Sequence, residues 1–353
     1  MTTPAAPRDH ALDGLRGIAA LMVFFNHVAM MTWYPRPGER GPQGIEYAFW
    51  HLGAPAVDLF FVLSGYVLCA SLERVRMDGP ALGAFLARRW VRLMPVAWTG
   101  ILLGLAVKLW IVPMQQTPLL GMAHMDQPLR WQEMLGMITF SVPMPDTERF
   151  NVPLWTLVME MYASLLIPIT VMGLRAQGRF FLVPAFLSWV LLWQVSGRLE
   201  FMTLPLFVLG VAVRTYVPDL PRRSLYPAFA VGCALFLSRY LVGAYEPWHR
   251  YVSAIGAAAI ILAVHGGAIR GLLTSRPIAW LGRISYPFYA VHYPLVLAAT
   301  ILLTARGVQT NLAGALSLPA ALMLAYLVHH TVERASIRAS RQVGAQILGR
   351  PAP

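Results

Sequence analysis

The sequence has few charged residues and only two cysteines, and both shortages exclude classes of protein. Charged residues make up 12% of the chain and hydrophobic residues 57%, with a mean hydropathy of +0.57, whereas soluble domains have about 25% and 45–50%. This composition excludes an ordinary soluble protein. Cys69 and Cys233 both fall in apolar stretches, outside any CxxC motif or Cys/His cluster. Disulfide and redox functions therefore lack support, and we expect no metal.

Apolar runs of about 20 residues are abundant instead, and this length crosses the hydrocarbon core of a bilayer as a helix. They predict an all-α fold, a polytopic integral membrane helical bundle of about ten transmembrane helices. The predicted spans are 12–32, 50–72, 93–113, 153–174, 179–197, 200–217, 225–243, 251–268, 284–305 and 311–332. No internal repeat is found, so residues 1–353 are predicted to form a single membrane domain with a short tail at 1–11 and a basic tail at 333–353.

Basic residues are distributed unevenly between the two sides of such a bundle. With a cytoplasmic N-terminus, 18 of the 28 Lys and Arg residues lie in inner segments, 7 in outer segments and three within spans. Lys and Arg concentrate on the cytoplasmic side of membrane proteins, so both termini are predicted to be cytoplasmic. The same bias explains the net charge of +12 without nucleic acid, and the lipid bilayer is an expected partner. No recognition motif predicts nucleic acid as a partner.

Arg16 and His27 are the first candidates for chemistry, because both lie in one apolar stretch, Leu12–Met31. In a helix, eleven residues come to three turns plus about 20°, so both side chains share one face and lie roughly 16 Å apart along the axis. Ionisable groups at such depth are costly and usually face a protein interior, which makes them functional-site candidates.

Arg88, Arg89 and Arg92 form a second polar cluster, which the predicted spans place in the first cytoplasmic loop, within residues 85–96. Arg89 and Arg92 are three residues apart and neighbour one another on a helix face. Two interpretations stay open. In the first, the arginines only reflect the enrichment of basic residues in cytoplasmic loops. In the second, the cluster and Arg16 bind the phosphates of a nucleotide-like cofactor through bidentate hydrogen bonds.

Several motifs in order resemble the membrane acyltransferase-3 family, the O-acyltransferases of surface polysaccharides and some small molecules. The resemblance runs over nearly the whole chain. The motifs are LDGLRGIAALMVFFNH (12–27, with its Arg-x10-His), AVDLFFVLSGYVL (56–68), ARRWVRLMP (87–95), PLWTLVMEMYASLLIP (153–168), RISYPFYAVHYPL (283–295) and VERASIR (332–338). One such motif is weak, and six in the right order are specific.

The resemblance implies transfer of an acyl group from cytoplasmic acyl-CoA, with acetyl-CoA as the family default, to an acceptor hydroxyl. It implies that Arg16 and His27 are the essential pair of the first helix. By the same resemblance Arg89 and Arg92 face the donor, and Glu160 is the acidic residue of the fourth span. Thr156, Ala56 and Ala335 depart from the family pattern, which leaves the substrate open.

Acyl transfer from a thioester needs a base for the acceptor hydroxyl, and histidine has a suitable ordinary pKa of about 6.5. We expect His27 to be this base, with Arg16 toward the donor. Asp13, Asp58 or Glu160 could fix its tautomer. Asp13 is about 21 Å from His27 along a straight helix and cannot bond it directly. Glu160, in mid-span, is the preferred partner.

Two further residues have both a structural and a functional interpretation. Ser64 belongs to a Ser-Gly pair, and small residues favour close helix packing in membranes, so packing is the simpler explanation for it. His292 lies in a span and in a family motif, where a role at the donor or acceptor site and a structural hydrogen bond are equally open.

Other functions compete with a carbohydrate O-acyltransferase in a bacterial inner membrane. A transporter or flippase of lipid-linked sugars also has many apolar spans with buried charges, but such folds usually show paired halves, and none is found. An acyltransferase for a macrolide-like small molecule stays open. The H-x4-D and DHHC signatures of other acyltransferases are absent.

Overall fold

A computed structural model describes most of the chain, and its described residues are helical, with no strand among them. The residues described are 9–32, 44–73, 75–116, 119, 125, 127–128, 130–139, 147–216, 220–242 and 248–349. The prediction of an all-α fold is confirmed for this part of the chain.

Fifteen α-helices follow one another along the described residues. They are α1 His10–Met30, α2 Gly44–Leu72, α3 Gly79–Trp110, α4 Trp131–Thr139, α5 Trp155–Gln177, α6 Leu182–Ser196, α7 Leu199–Tyr216, α8 Arg222–Phe236, α9 Ser238–Val242, α10 His249–His265, α11 Arg270–Leu273, α12 Arg276–Thr304, α13 Thr310–Ala315, α14 Leu318–Val328 and α15 Arg334–Ile347. Short 3-10 turns lie at Val112–Met114, Thr147–Arg149, Val152–Leu154 and Arg179–Phe181, and a π-helical turn at His329–Glu333 joins α14 to α15.

Seven helical stretches in the described part of the chain are long and apolar enough to cross a membrane. They are His10–Met30, Gly44–Leu72, Gly79–Met114, Val152–Gln177, Arg179–Ser196, Arg276–Thr304 and Thr310–Ile347, and Phe201–Tyr216 and His249–His265 are shorter apolar helices. The chain is thus an integral membrane helical protein. The total of ten spans and the cytoplasmic location of the termini stay predictions. Helix α8 is only 15 residues long and begins with Arg222 and Arg223.

The arginine cluster lies inside a helix, in the part of α3 that precedes the predicted span 93–113. Helix α3 begins at Gly79, where the Asp78 side chain accepts a hydrogen bond from the Ala81 N–H, and continues without a break to Trp110. Ala, Leu and Arg make up most of residues 81–94 of α3, and all three are good helix formers. The arginines are therefore held on a rigid element that leads directly into the membrane.

Glycines bring α1 against α12. A methyl group on Gly17 would lie 2.7 Å from the Gly282 backbone nitrogen, and one on Gly282 would collide with the Asp13 carbonyl. Small residues of this kind let helix backbones approach closely in membranes. The two helices run parallel from this contact, so His27 and His292, each ten residues further along, also face one another.

Candidate functional site

A cleft of about 190 Å³ opens between α1, α2, α3, α5 and α12, and its polar lining is rich in charge. Four arginines and three carboxylates line it: Arg16, Arg89, Arg92, Arg283, Asp13, Glu160 and Glu333. The structure therefore brings Arg16 of α1 together with Arg89 and Arg92 of α3, as the sequence predicts. Guanidinium groups in a cleft can bind phosphate through planar, bidentate hydrogen bonds.

Arg89 is fixed by two partners from α5, which also bond to each other. Its Nη2 donates to Glu160 Oε2 at 2.6 Å, its Nε donates to Ser164 Oγ at 3.0 Å, and Ser164 Oγ in turn donates to the Glu160 carbonyl at 2.7 Å. Ser64 Oγ of α2 donates to the other Glu160 oxygen. Because guanidinium has five N–H groups and two are used here, Arg89 keeps donors for a ligand.

Glu160 does not contact His27, so the preferred pairing of these two residues is wrong. The carboxylate lies on Arg89 instead. A carboxylate inside the protein is stabilised more by a guanidinium cation than by a neutral imidazole, because the attraction between opposite charges offsets the cost of removing both from water. The Ser64 hydroxyl completes this arrangement, and the adjacent Gly65 packs against the Phe207 backbone of α7. The Ser-Gly pair thus serves both packing and the Glu160 carboxylate.

Arg88, predicted to bind the cofactor with its neighbours, does not line the cleft. Its side chain lies against Gly344 of α15, and Ser336 of the same helix donates to the Arg92 carbonyl at 3.2 Å. Helix α15 covers this face of α3, so the donor-site prediction is wrong in placing Arg88 beside Arg89 and Arg92. On α1, Arg16 Nη1 donates to Asp13 Oδ1 at 3.2 Å.

His27 and His292 form a buried pair deeper in the bundle. His27 Nδ1 lies 2.9 Å from His292 Nε2, and the side chains are 6% and 0% exposed. His292 Nδ1 lies 3.0 Å from the Tyr289 carbonyl and 3.1 Å from the Phe288 carbonyl. The rings of Phe24, Phe288 and Tyr293 surround the pair. Neither histidine lines the cleft.

Phe60 and Tyr289 connect the cleft to the histidine pair. Both line the cleft, their ring centroids are 5.5 Å apart, and the Tyr289 ring lies 5.7 Å from the His292 ring. Thr156 Oγ1 donates to the Pro153 carbonyl at 2.9 Å and accepts from Tyr289 O–H at 3.1 Å. The cleft therefore ends on an aromatic wall whose far side contacts His292.

Asp58 lies away from the cleft and is paired elsewhere. It is 0% exposed and accepts from Arg250 Nε at 2.9 Å, from Arg250 Nη2 at 2.6 Å and from Ser253 Oγ at 2.6 Å. Asp58 is therefore not the partner of His27. Arg250 lies just before the predicted span 251–268, and the sequence analysis does not select it. The signal was available, because a carboxylate in mid-span requires a cation.

Tyr286, Tyr289, Arg283 and Glu333 are cleft residues that the sequence reasoning did not select. All four lie in segments that carry the family resemblance, which is the signal that was present. Glu333 contacts His329 Nδ1 in the π-helical turn, and such turns occur often at functional sites. No group of three potential metal ligands lies together among the residues that the structure describes.

Comparisons with known proteins give the class of reaction. A family model described as an acyltransferase domain matches residues 9–330. The acyltransferase MdmB of Streptomyces mycarofaciens is 26% identical, over 99% of this chain and 95% of its own length. The O-acetyltransferase PaAT-1 of Phomopsis amygdali is 24% identical, over 81% of this chain and 71% of its own. The putative peptidoglycan O-acetyltransferase YrhL of Bacillus subtilis (strain 168) is 24% identical, over 82% of this chain and 49% of its own. No solved structure matches the chain.

Proposed function

The chain belongs to the membrane acyltransferase-3 family, and from this premise we propose that it transfers an acetyl group from cytoplasmic acetyl-CoA to a carbohydrate hydroxyl. As an acyltransferase it moves a group other than an aminoacyl group, so acyl transfer, in place of transport of a lipid-linked sugar, is the proposed activity. The proposed setting is a bacterial inner membrane with both termini in the cytoplasm. The observation that carries the proposal is the arginine-lined cleft that shares α1 with His27.

The proposed donor site is the cleft itself. Coenzyme A carries phosphate groups, and Arg16, Arg89, Arg92 and Arg283 all line the cleft. The ion pair with Glu160 holds Arg89 in one orientation before the donor arrives, and a pre-organised site loses less conformational entropy on binding. The thioester end of the donor would then extend toward Phe60, Tyr289 and the histidines.

His27 is the proposed general base. The acceptor hydroxyl gives its proton to His27 Nε2 while its oxygen attacks the thioester carbonyl carbon. The carbon–sulfur bond breaks, and the proton passes on to the departing thiolate, so atoms and charges balance without a metal. A positioned base contributes about 10²–10⁴-fold to such reactions. Burial of the histidine pair supports this role, since water that would compete with the acceptor is excluded.

A carbohydrate is the first candidate for the acceptor, such as an exopolysaccharide, an O-antigen or its lipid-linked precursor. One relative is named as a putative peptidoglycan O-acetyltransferase, which supports this class. A macrolide-like small molecule is the second candidate. The relative that matches this chain over 95% of its own length is named only as an acyltransferase, so its name favours neither acceptor.

Deletion of the gene and mass analysis of cell-surface glycan and of small-molecule extracts would test the proposal. We expect the glycan to lose the mass of one acetyl group per modified site, and the native chain, but not His27→Gln, to restore it. Loss of acetyl from a small molecule alone would replace the first acceptor class by the second. If neither fraction changes, the proposed function is wrong.

A further inference from the structure

We infer that His292 is a positioning residue that holds His27 as the Nδ1–H tautomer and so leaves His27 Nε2 as the basic nitrogen. The inference rests on the proposed function only for its catalytic consequence. The tautomers themselves follow from the hydrogen-bond partners of the two rings, because hydrogen positions on histidine are assigned from the network around them.

The first step concerns His292. Its Nδ1 lies within 3.1 Å of two backbone carbonyls, those of Phe288 and Tyr289. A carbonyl oxygen can only accept, so Nδ1 must carry a proton. In a neutral imidazole the other nitrogen, Nε2, is then an acceptor.

The second step concerns His27. Its Nδ1 lies 2.9 Å from this acceptor, so Nδ1 of His27 must donate. With its proton on Nδ1, neutral His27 has its free lone pair on Nε2.

The alternative arrangement makes His292 an imidazolium that donates from both nitrogens. This requires a positive charge on a side chain that is 0% exposed, and burying a charge without a counter-ion is costly. The rings against the pair are those of Phe24, Phe288, Tyr289 and Tyr293, and no carboxylate contacts either histidine in the described part of the chain. The neutral arrangement is therefore the stable one.

The consequence for catalysis resembles other base–orienter sets. A partner that fixes the imidazole tautomer aims the basic nitrogen at the substrate, and a wrong tautomer in a hydrolytic triad lowers kcat by about 10⁴. Here the orienting group is a second histidine from a helix that α1 contacts through glycines, rather than a carboxylate. That arrangement places no carboxylate against the histidine pair itself.

The test is nitrogen NMR of the full chain labelled with ¹⁵N-histidine in lipid nanodiscs. His27→Gln and His292→Gln identify the two sets of signals by their loss, and His330→Leu, at an exposed position, is the control for labelling and folding. We expect both missing signals to be neutral with protonated Nδ1. A neutral His27 with protonated Nε2, or an imidazolium at either position, would overturn the inference without affecting the proposed function.

Kinetics with acetyl-CoA separate positioning from simple packing. Gln at position 292 can still present an oxygen to His27 Nδ1–H, whereas Leu cannot. We expect kcat to fall by about tenfold or less in His292→Gln and by about 10² or more in His292→Leu, with the donor KM unchanged in both. Equal kcat in the two variants at unchanged protein yield would reduce His292 to a packing residue. If the tautomers are as inferred but His27→Gln keeps full activity, the proposed function is at fault instead.

Discussion

Arg89 and Arg92 either bind the donor or serve only to hold their segment on the cytoplasmic side of the membrane, and a double substitution distinguishes the two roles. A hydrogen bond to a charged group contributes about 1.5–3 kcal/mol, which is roughly tenfold or more in affinity per arginine. We expect Arg89→Ala with Arg92→Ala to weaken CoA binding by about 10²-fold or more, as measured by titration calorimetry in nanodiscs. Arg88→Ala is the matched control, because Arg88 lies on the same helix outside the cleft. Equal loss in the control would assign the arginines to topology alone.

The proposed role of His27 as general base predicts that its substitution lowers kcat. His27→Ala and His27→Gln should both lower kcat for acetyl transfer by about 10²–10⁴-fold, because Gln keeps a hydrogen-bonding group but cannot take a proton. Arg16→Lys keeps the charge and loses the planar fork, so it should raise the donor KM and spare kcat. Thiol release from acetyl-CoA in the presence of acceptor measures both. Native turnover in His27→Gln would move the base elsewhere.

Residue partners were the least predictable part of the site. The helical spacing of Arg16 and His27 indicates one face of α1, and the structure places both on polar partners. Spacing within one helix says nothing about which other helix covers that face. Glu160 was therefore assigned to His27 although it pairs with Arg89, and the Arg250 partner of Asp58 was missed. These pairings depend on tertiary packing between residues that lie 71 and 192 positions apart in the sequence.

Helix contacts carry a prediction about how the histidines are brought together. Gly282→Val would force a branched side chain against the Asp13 backbone and push α12 away from α1. Overpacking of this kind costs about 1–3 kcal/mol, and the displaced backbone would separate His292 from His27. We expect a lower unfolding temperature in detergent and loss of acetyl transfer. Gly271→Val is the control, since a side chain there meets nothing within 4 Å, and an unaffected Gly282→Val would show that this contact is not needed.

Helix existence was easier to predict than helix length. Every predicted span overlaps a helix in the described residues, because an apolar run of this length in a membrane must satisfy its backbone hydrogen bonds internally. The boundaries were less accurate. Helix α3 begins at Gly79 instead of residue 93, since hydropathy detects only the apolar half of a helix that extends beyond the bilayer. The described part of the basic tail likewise forms α15, which packs on α3 through Ser336 and Gly344.

At the scale of the whole molecule, side-chain contacts agree with the alternating order of the predicted spans. Helices α2 and α10 are parallel, because Asp58 contacts Arg250 and, further along both helices, Tyr66 contacts His265. The second and eighth predicted spans, which contain these helices, both run toward the cytoplasm and must be parallel. Helix α3 is antiparallel to the segment that contains α5, because Arg89 contacts Glu160 whereas Gly104, later in α3, contacts the earlier residue Phe150. Consecutive spans of a membrane protein must have opposite directions. The relative directions therefore fit the predicted topology, and the side of the membrane on which they begin is the remaining question.

An experiment on which side of the membrane the donor acts from would determine the orientation of the bundle. Arg89 and Arg92 line the cleft and precede the third predicted span, in a segment that the basic-residue bias assigns to the cytoplasm, so acetyl-CoA should act only from that side. Coenzyme A is too highly charged to cross a bilayer unaided, because ions are strongly disfavoured in hydrocarbon. Proteoliposomes carry the chain in both orientations, and a protease that removes a C-terminal tag from outside measures the fraction with an outward cytoplasmic face. With external acetyl-CoA, the acetyl-transfer activity divided by the activity after detergent permeabilisation should equal the fraction of chains whose cytoplasmic face points outward. If it equals the fraction whose cytoplasmic face points inward, the proposed topology is inverted.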